Sequence, residues 1–439
     1  MIRAALKNSS WLMSEKVFTM ALNLIVTIVL ARVLGPYLFG ELNYVLALVA
    51  IVTPLTALGL NALVIRELVD NPKHETMVMT TVAAYRLIGA AVGLLGLVTW
   101  ATVSDLGIDE RLSLVIIGSA ATLQAFQVVE YFFQAKVNAH YVVKMRALVV
   151  FIAGTLKLTC VFVYPSLLAI AIIYAFEYLA WGCGYILLYR IKGEAKGFKI
   201  AAINWNYGLK LLKQSFWLVL SGLAAVLYLK VDQVMLGELV SKDAVGTYAV
   251  AVRLSEVWYF FATAIAASFF SSLLQLKNSD NNAYHRRLQN LCDGLFTAAF
   301  VIAIAVASLA STIVPLLFGS EYLVSGTILA IHIWAGVFVF MRELASKWLI
   351  AEHLLRFSLL SHGAGALLNV ILNLIFIPKW QGEGAAIATV LSYAMAGFIV
   401  FWFVKKTRLM ALIMTRSLLL PFTLWARYWG FLKKTLKLS

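Results

Sequence analysis

The sequence predicts an all-α polytopic membrane protein in which twelve transmembrane helices form two parallel six-helix repeats around a central cavity. Three observations lead to this prediction: an excess of apolar residues, the number of long apolar runs, and a weak repeat between the two halves. Of the 439 residues, 62% are hydrophobic and 13% are charged, and the mean hydropathy is +0.89. Soluble domains are roughly half apolar and about a quarter charged. This composition excludes a soluble enzyme, a disordered chain and a disulfide-rich secreted domain.

The three cysteines do not indicate a metal site. Cys160, Cys183 and Cys292 lie within apolar runs and lack the spacing of metal ligands. We interpret them as reduced packing residues and expect neither a metal nor a cofactor.

The apolar runs define the spans. A bilayer core about 30 Å thick requires about 20 mostly apolar residues per helix. Spans five and six are separated only by Tyr164 and Pro165, and span seven contains Lys230 and Asp232. The first run is too long for a signal peptide and is followed at once by another span, so no cleaved leader is expected. The predicted spans are 10–33, 40–65, 77–103, 112–135, 144–163, 166–189, 212–236, 244–274, 285–319, 323–351, 356–377 and 383–404.

The basic residues predict the orientation. With both termini in the cytoplasm, 25 of the 36 Lys and Arg residues lie on the inner side, and only Arg111, Lys242 and Lys379 lie in outer loops. This asymmetry is typical of cytoplasmic loops. The net charge of +15 then meets the anionic lipids of the inner leaflet, and no nucleic-acid partner is expected.

The longest inner loop, 191–211, divides the chain nearly in half. The predicted units are an N-terminal lobe with spans one to six, a cytoplasmic linker, a C-terminal lobe with spans seven to twelve, and a basic amphipathic cytoplasmic tail. A thirteenth span in the tail would enclose Arg416 and Pro421, so we expect the tail to lie at the membrane surface. These units cover 1–195, 196–211, 212–408 and 409–439.

The halves resemble each other. The segment 34–44 matches 239–248 at an offset of about 206 residues, and each is a short outer loop followed by an apolar-Gly pair that opens a helix. The tripeptide at 134–136 matches that at 350–352 at an offset of 216, as Lys157-Leu158 matches Asn373-Leu374. Six spans per repeat return the chain to its starting side, so the repeats are parallel. Such repeats place a cavity between two lobes whose rocking gives alternating access.

Two stretches resemble a known family. Residues 30–40 read LARVLGPYLFG and are followed by Gly59-Leu60 and Arg66-Glu67-Leu68; late in the chain, 369–378 read NVILNLIFIP and 382–389 read GEGAAIAT. These motifs resemble those of the polysaccharide transporter family, the Wzx-type O-antigen flippases. That family belongs to the MOP superfamily, which also holds the MATE multidrug exporters and the lipid II flippases. The resemblance covers all twelve spans but not the tail.

The resemblance implies a MATE-like fold and a lipid-linked cargo. Members of the family move undecaprenyl-pyrophosphate-linked sugar units, such as O-antigen or exopolysaccharide repeats, from the cytoplasmic to the periplasmic leaflet of the bacterial inner membrane. A polysaccharide polymerase and chain-length machinery are the partners expected from the resemblance, besides the lipid-linked glycan and membrane lipids.

Basic residues within the spans are the candidate binding residues. Charges at that depth normally face a partner or a watery cavity. They could line a cationic cavity for a pyrophosphate, or they could form ion pairs between helices; Arg253 and Glu256, three residues apart, could pair with each other. Because Arg86 has no acid within four positions, it is the strongest candidate, and we expect Arg86 and Arg253 to line the cavity from opposite lobes. The candidates are Arg86, Arg253, Arg342, Lys157 and Lys230.

Three acids within the spans are candidates for coupling transport to H⁺ or Na⁺. Glu177, Glu256 and Asp232 could each bind the ion, or could serve as counter-ions to the bases; for Glu177 the expected partners are Lys157 or Arg86.

Two other functions are weighed. A MATE-like drug exporter or a lipid II exporter would use the same fold, but a cation exporter requires an acid-rich cavity, and here the bases outnumber the acids. A membrane ligase or polymerase needs a large outer loop, and the longest predicted one has about eight residues. We therefore expect a transporter rather than an enzyme.

Overall fold

A computed structural model describes residues 2–193, 197–354 and 356–423, and all regular secondary structure within these ranges is helical. Short 3₁₀ turns connect several helices, and a π-helical turn, Met395–Ile399, precedes α15. The helices are α1 Ile2–Ala57, α2 Asn61–Asp70, α3 Glu75–Val103, α4 Ile108–Ala121, α5 Val128–Ala135, α6 His140–Val163, α7 Leu167–Lys192, α8 Trp205–Leu239, α9 Lys242–Glu256, α10 Tyr259–Ser279, α11 Asn281–Phe318, α12 Leu323–His332, α13 Ala335–Ala351, α14 Arg356–Ala394, α15 Val400–Phe403 and α16 Arg408–Leu418.

The described helices provide a segment for each predicted span. Nine are long and apolar enough to cross a bilayer, and a pair bent by 45°, 320–332 and 335–351, makes a tenth. Two of the nine are broken by non-helical residues, α1 at Gly35 (φ 72°, ψ 172°) and α14 at Gln381 (φ 47°, ψ −125°). Dividing them there gives twelve apolar segments within the described residues, which agrees with the predicted number of spans.

Large apolar side chains cover much of the outer surface. Leu95, Phe162, Val301 and Leu316 are each more than half exposed, in the middle or at the ends of apolar helices. A soluble protein rarely exposes contiguous apolar surface on this scale. The chain is a multi-pass membrane protein, and this surface faces lipid.

The second predicted span contains a helix break that the sequence did not indicate. The second span was predicted as one helix over 40–65, but α1 ends at Ala57 and α2 begins at Asn61. Leu58 and Gly59 adopt positive φ there, and a Cβ at Gly59 would lie 2.9 Å from Leu218 Cβ. The break therefore allows α8 to approach the chain closely.

The two halves share unusual local geometry. Val137 (φ 56°) and His353 (φ 57°) both end a helix in the left-handed region, and they lie 216 positions apart. The break at Gln381 lies 216 positions after Pro165, which separates α6 from α7. This offset is the one found between the halves of the sequence, so the matched geometry supports the predicted repeat.

The linker packs on α3. The backbone N–H groups of Lys199 and Asn204 donate to Thr80 Oγ1 (3.2 Å) and Thr81 Oγ1 (3.0 Å). Tyr85 donates to the carbonyl of Trp205 at 2.8 Å. Within the predicted linker, residue 196 lies outside the described residues.

The predicted tail begins with a helix that packs on the C-terminal half. In α16 the side chains of Met410, Ala411 and Met414 are buried, and Ser417 donates to Asp293 Oδ1 of α11 at 2.7 Å. The rest of the predicted tail, 424–439 with its last four basic residues, lies outside the described residues.

Candidate functional site: a charged cavity between the halves

The halves meet backbone to backbone where α1 crosses α9. A Cβ atom added at Gly40 would lie 1.8 Å from Lys242 O, and one added at Gly246 would lie 2.1 Å from Pro36 O. These two contacts are images of each other, because Pro36 and Lys242, like Gly40 and Gly246, lie 206 positions apart. Reciprocal contacts are what a two-fold axis between equivalent segments produces. The glycines allow this close crossing at the end of the molecule predicted to face outward.

Five polar side chains, which we call the outer network, join the halves beside this crossing. Lys242 Nζ lies 2.9 Å from Glu110 Oε1 and 3.3 Å from the centroid of the Tyr44 ring. The Tyr44 hydroxyl donates to Glu238 and accepts a hydrogen bond from Trp100 Nε1 at 3.0 Å. Tyr44, Trp100 and Glu110 come from the first half, and Glu238 and Lys242 come from the second. The outer network and the glycine crossing together close this end of the interface.

A cavity of about 270 Å³ lies between the halves, starting one to two helical turns from the crossing. A neighbouring cavity of about 210 Å³ shares Asn23, Thr27 and Arg253 with it. Helices α1, α6 and α7 of the first half and α8 and α9 of the second contribute to the walls. The larger cavity is lined by Asn23, Val26, Thr27, Asn43, Leu46, Ala47, Ala50, Lys157, Tyr174, Glu177, Tyr178, Trp181, Lys230, Gln233 and Arg253; we call the two together the central cavity.

Five of the eight candidate residues lie in the central cavity. Lys157 and Glu177 form a buried ion pair at 2.6 Å, and Lys230 lies 3.9 Å from Glu256. Arg253 is exposed to the cavity, and within the described residues it makes no ion pair or hydrogen bond. The central cavity therefore contains three bases and two acids. Because Lys157 pairs with Glu177 and Lys230 lies beside Glu256, Arg253 carries the charge that no acid balances.

Aromatic and amide side chains in the cavity wall were not identified from the sequence. Tyr174, Tyr178 and Trp181 line one side, and Lys157 Nζ lies 3.5 Å from the Tyr174 ring centroid. The buried Nε1 of Trp181 has no hydrogen-bond partner among the described residues. Asn23, which lies within an apolar run of α1, also lines the cavity. The sequence does show these polar and aromatic residues within otherwise apolar spans. Periodicity along a helix, however, does not indicate which of them face the cavity.

The expectation that Arg86 lines the cavity is not met. Arg86 is 1% exposed and packs within the first half. It donates to Tyr131 OH (3.1 Å), the carbonyl of Gln124 (2.9 Å) and Gln127 Oε1 (3.4 Å). The sequence showed no nearby acid, but neutral acceptors from α5 and the 3₁₀ turn before it bind both Nη atoms of the guanidinium, and its buried Nε has no hydrogen-bond partner among the described residues. Arg86 therefore fixes the packing of α3.

Asp232 and Arg342 lie inside the second half rather than in the central cavity. Asp232 is 2% exposed and accepts from Thr389 (2.5 Å), Asn373 (2.6 Å) and Tyr248 (2.7 Å). Arg342 lines a separate cavity of about 170 Å³ among α8, α13 and α14. Neither forms an ion pair within the described residues.

The family match covers well over half of the chain. Residues 5–277 match the family described as polysaccharide biosynthesis protein. A curated relative is the "Probable low-salt glycan biosynthesis flippase Agl15" of Haloferax volcanii, 24% identical over 223 residues, which are 49% of this chain and 44% of the relative. The chain spans about half the length of the curated relatives it matches.

Solved structures establish the fold. The lipid II flippase MurJ in an inward closed conformation gives a TM-score of 0.69 at 14% identity, covering 94% of this chain and 91% of that chain. An inward-facing multidrug resistance MATE family transporter of the MOP superfamily gives a TM-score of 0.71 at 12% identity, covering 90% of this chain and 96% of that chain. The chain therefore has a MATE-like fold, as predicted.

Proposed function

This chain belongs to the polysaccharide biosynthesis protein family, and from that premise we propose that it is a flippase for lipid-linked oligosaccharides. The proposed cargo is an undecaprenyl-pyrophosphate-linked O-antigen or exopolysaccharide repeat unit. It moves from the cytoplasmic to the periplasmic leaflet of a bacterial inner membrane, with both termini of the protein in the cytoplasm. The flippase then supplies a polysaccharide polymerase and its chain-length machinery.

The observation that carries the proposal is the unpaired Arg253 in the cavity between the halves. A pyrophosphate crossing the bilayer must exchange its hydration for other donors, and a guanidinium offers forked, charge-assisted ones. A net positive cavity suits this anion and is unsuited to a cationic drug. Because Arg253 lies about ten residues into its span, about 15 Å along the helix, it reaches the depth at which hydration is lost.

The remaining walls fit the rest of the cargo. Tyr174, Tyr178 and Trp181 offer ring faces for sugar stacking. The buried Trp181 Nε1, which has no hydrogen-bond partner among the described residues, suits a sugar hydroxyl. Lys157 is held by Glu177 at 2.6 Å and becomes available to a phosphate only if the pair opens. The polyprenyl tail stays in lipid, passing beside the cavity between the halves.

For ion coupling, Asp232 is the best placed of the three acids. Glu177 and Glu256 already lie beside lysines, whereas Asp232 is buried among hydroxyl and amide groups. Asn373 Oδ1 beside it has no hydrogen-bond partner among the described residues. Oxygen donors of this kind suit H⁺ or a hard cation such as Na⁺. Asp232 thus couples transport to an ion gradient from inside the second half.

The test is transport by Arg253 variants in proteoliposomes containing a fluorescent undecaprenyl-pyrophosphate oligosaccharide. A charge-assisted hydrogen bond contributes about 1.5–3 kcal/mol, so Arg253→Ala should slow translocation about ten- to a hundredfold at an unchanged Tm, and Arg253→Lys less. Arg286→Ala, which removes an exposed charge, is the matched control. Wild-type translocation by Arg253→Ala, or export of ethidium in place of the glycolipid, would overturn the proposal.

A further inference from the structure

The cavity around Arg342 holds a guanidinium with no acidic partner. Arg342 is 7% exposed and forms no ion pair within the described residues. Its Nη2 donates to Ser361 Oγ at 2.7 Å and lies 3.3 Å from His362 Nε2. Its Nε and Nη1 are buried and have no hydrogen-bond partner among the described residues. Since a buried charge is normally paired and its donors satisfied, this side chain is set up for an anion that comes from outside the chain.

The surroundings of Arg342 have the size and polarity of a small-ligand site. The cavity of about 170 Å³ has room for about five to six water molecules at about 30 Å³ each, enough for a phosphate group. Three residues with hydroxyl groups, Tyr228, Ser346 and Tyr393, line it. The π-helical turn 395–399 contributes to its wall, and such turns are frequent at functional sites.

We propose that this cavity is an oxyanion site, separate from the central cavity, in which Arg342 binds a phosphate group. His362 accepts from Arg342 through Nε2, which leaves its ring proton on Nδ1, 3.5 Å from Ser221 Oγ. This contact and those to Ser361 and Ser358 hold Nη2, and the Phe401 ring centroid lies 5.5 Å from the guanidinium carbon. The buried Nε and Nη1, which have no hydrogen-bond partner among the described residues, are the donors assigned to the ligand. Glu343 also lines the cavity, and its carboxylate weakens anion binding without neutralising Arg342.

The experiment is calorimetric titration of the purified full-length protein with inorganic phosphate at constant ionic strength. Wild-type protein should bind inorganic phosphate, and part of this binding should depend on Arg342. Arg342→Gln should weaken binding at least tenfold, and Arg286→Gln, an exposed residue, should leave it unchanged. Glu343→Gln should tighten binding severalfold, a gain that a misfolded variant could not produce.

A further variant separates this site from the proposed transport path. In Arg253→Ala, the part of the phosphate binding that Arg342→Gln removes should be unchanged, because Arg253 lies in the central cavity. Loss of binding in Arg253→Ala with retention in Arg342→Gln would overturn the inference while leaving the proposed flippase intact. The absence of any phosphate binding that depends on Arg342 would also overturn it.

Two nanodisc compositions identify the source of the phosphate. If the ligand is free phosphate, binding dependent on Arg342 should be equal in discs of a neutral, phosphate-free glycolipid and in discs of phosphatidylglycerol. If a lipid headgroup supplies it, the phosphatidylglycerol discs should suppress the titration. In either case the signal must disappear in Arg342→Gln.

Discussion

Replacing Gly40 with alanine should destabilise the conformation in which the outer end is closed. The new Cβ would lie 1.8 Å from Lys242 O, and ordinary contact begins at 3.4 Å, so α1 and α9 must separate by about 1.6 Å. The obstructing atom is backbone, so no side-chain rotation relieves the clash. Overpacking of this kind costs about 1–3 kcal/mol, and about 1.4 kcal/mol is a tenfold change in an equilibrium. The closed population should therefore fall roughly 5- to 150-fold relative to the open one.

The reciprocal variant tests the symmetry of the crossing. Gly246→Ala places its Cβ 2.1 Å from Pro36 O and should have a similar effect. The double variant should be less than additive, since both changes open the same contact. Gly294→Ala and Gly96→Ala are the controls, because an added Cβ there meets nothing within 4 Å. Alanine raises helix propensity equally in both conformations, so that gain does not alter the balance.

The assay is the distance distribution between spin labels at residues 105 and 379, in a background lacking the three native cysteines. Both residues are exposed, and they lie in predicted outer loops of opposite halves. A longer-distance population should appear in Gly40→Ala and Gly246→Ala but not in the controls. Wild-type distributions in both crossing variants would refute the argument that the glycines keep this end closed.

Two further predictions concern charges buried within the halves. Arg86→Ala should lower stability by about 2–4 kcal/mol by leaving Tyr131 and a backbone carbonyl without their buried donor; the Tm of the purified protein is the measurement, and an unchanged Tm would contradict a packing role. Asp232→Asn keeps a polar group opposite Thr389 but removes the charge, so transport should lose its response to a Na⁺ or H⁺ gradient; a full response in proteoliposomes would exclude Asp232 as the coupling acid.

The positions of the spans were largely determined by the sequence. A bilayer sets the length of each apolar run, and this is a local property that composition reveals. The predicted spans five and six are only two residues apart. The break between α6 and α7 at Pro165 nevertheless lies where expected. The break at Gln381 lies in the predicted loop between the spans 356–377 and 383–404. The break at Gly59 was not predicted, because it depends on which helix packs against it.

The functions of the charges were decided by tertiary structure. The sequence indicated that Lys157, Glu177 and Arg253 needed partners or a cavity, but spacing along one helix does not show what a neighbouring helix presents. Glu177, 20 residues from Lys157, forms its ion pair, whereas no described residue pairs with Arg253.

Arg86 and Gly40 show the same difference between what the sequence indicates and what the tertiary structure decides. The acceptors of Arg86 lie 38 to 45 positions away, where no local pattern could place them. The sequence matched Gly40 with Gly246, but only the fold brings them together across the interface. Hydrophobic length acts along the chain and can be read from it, whereas the pairing of buried charges and the close approach of backbones depend on atoms that are distant in sequence and adjacent only after folding.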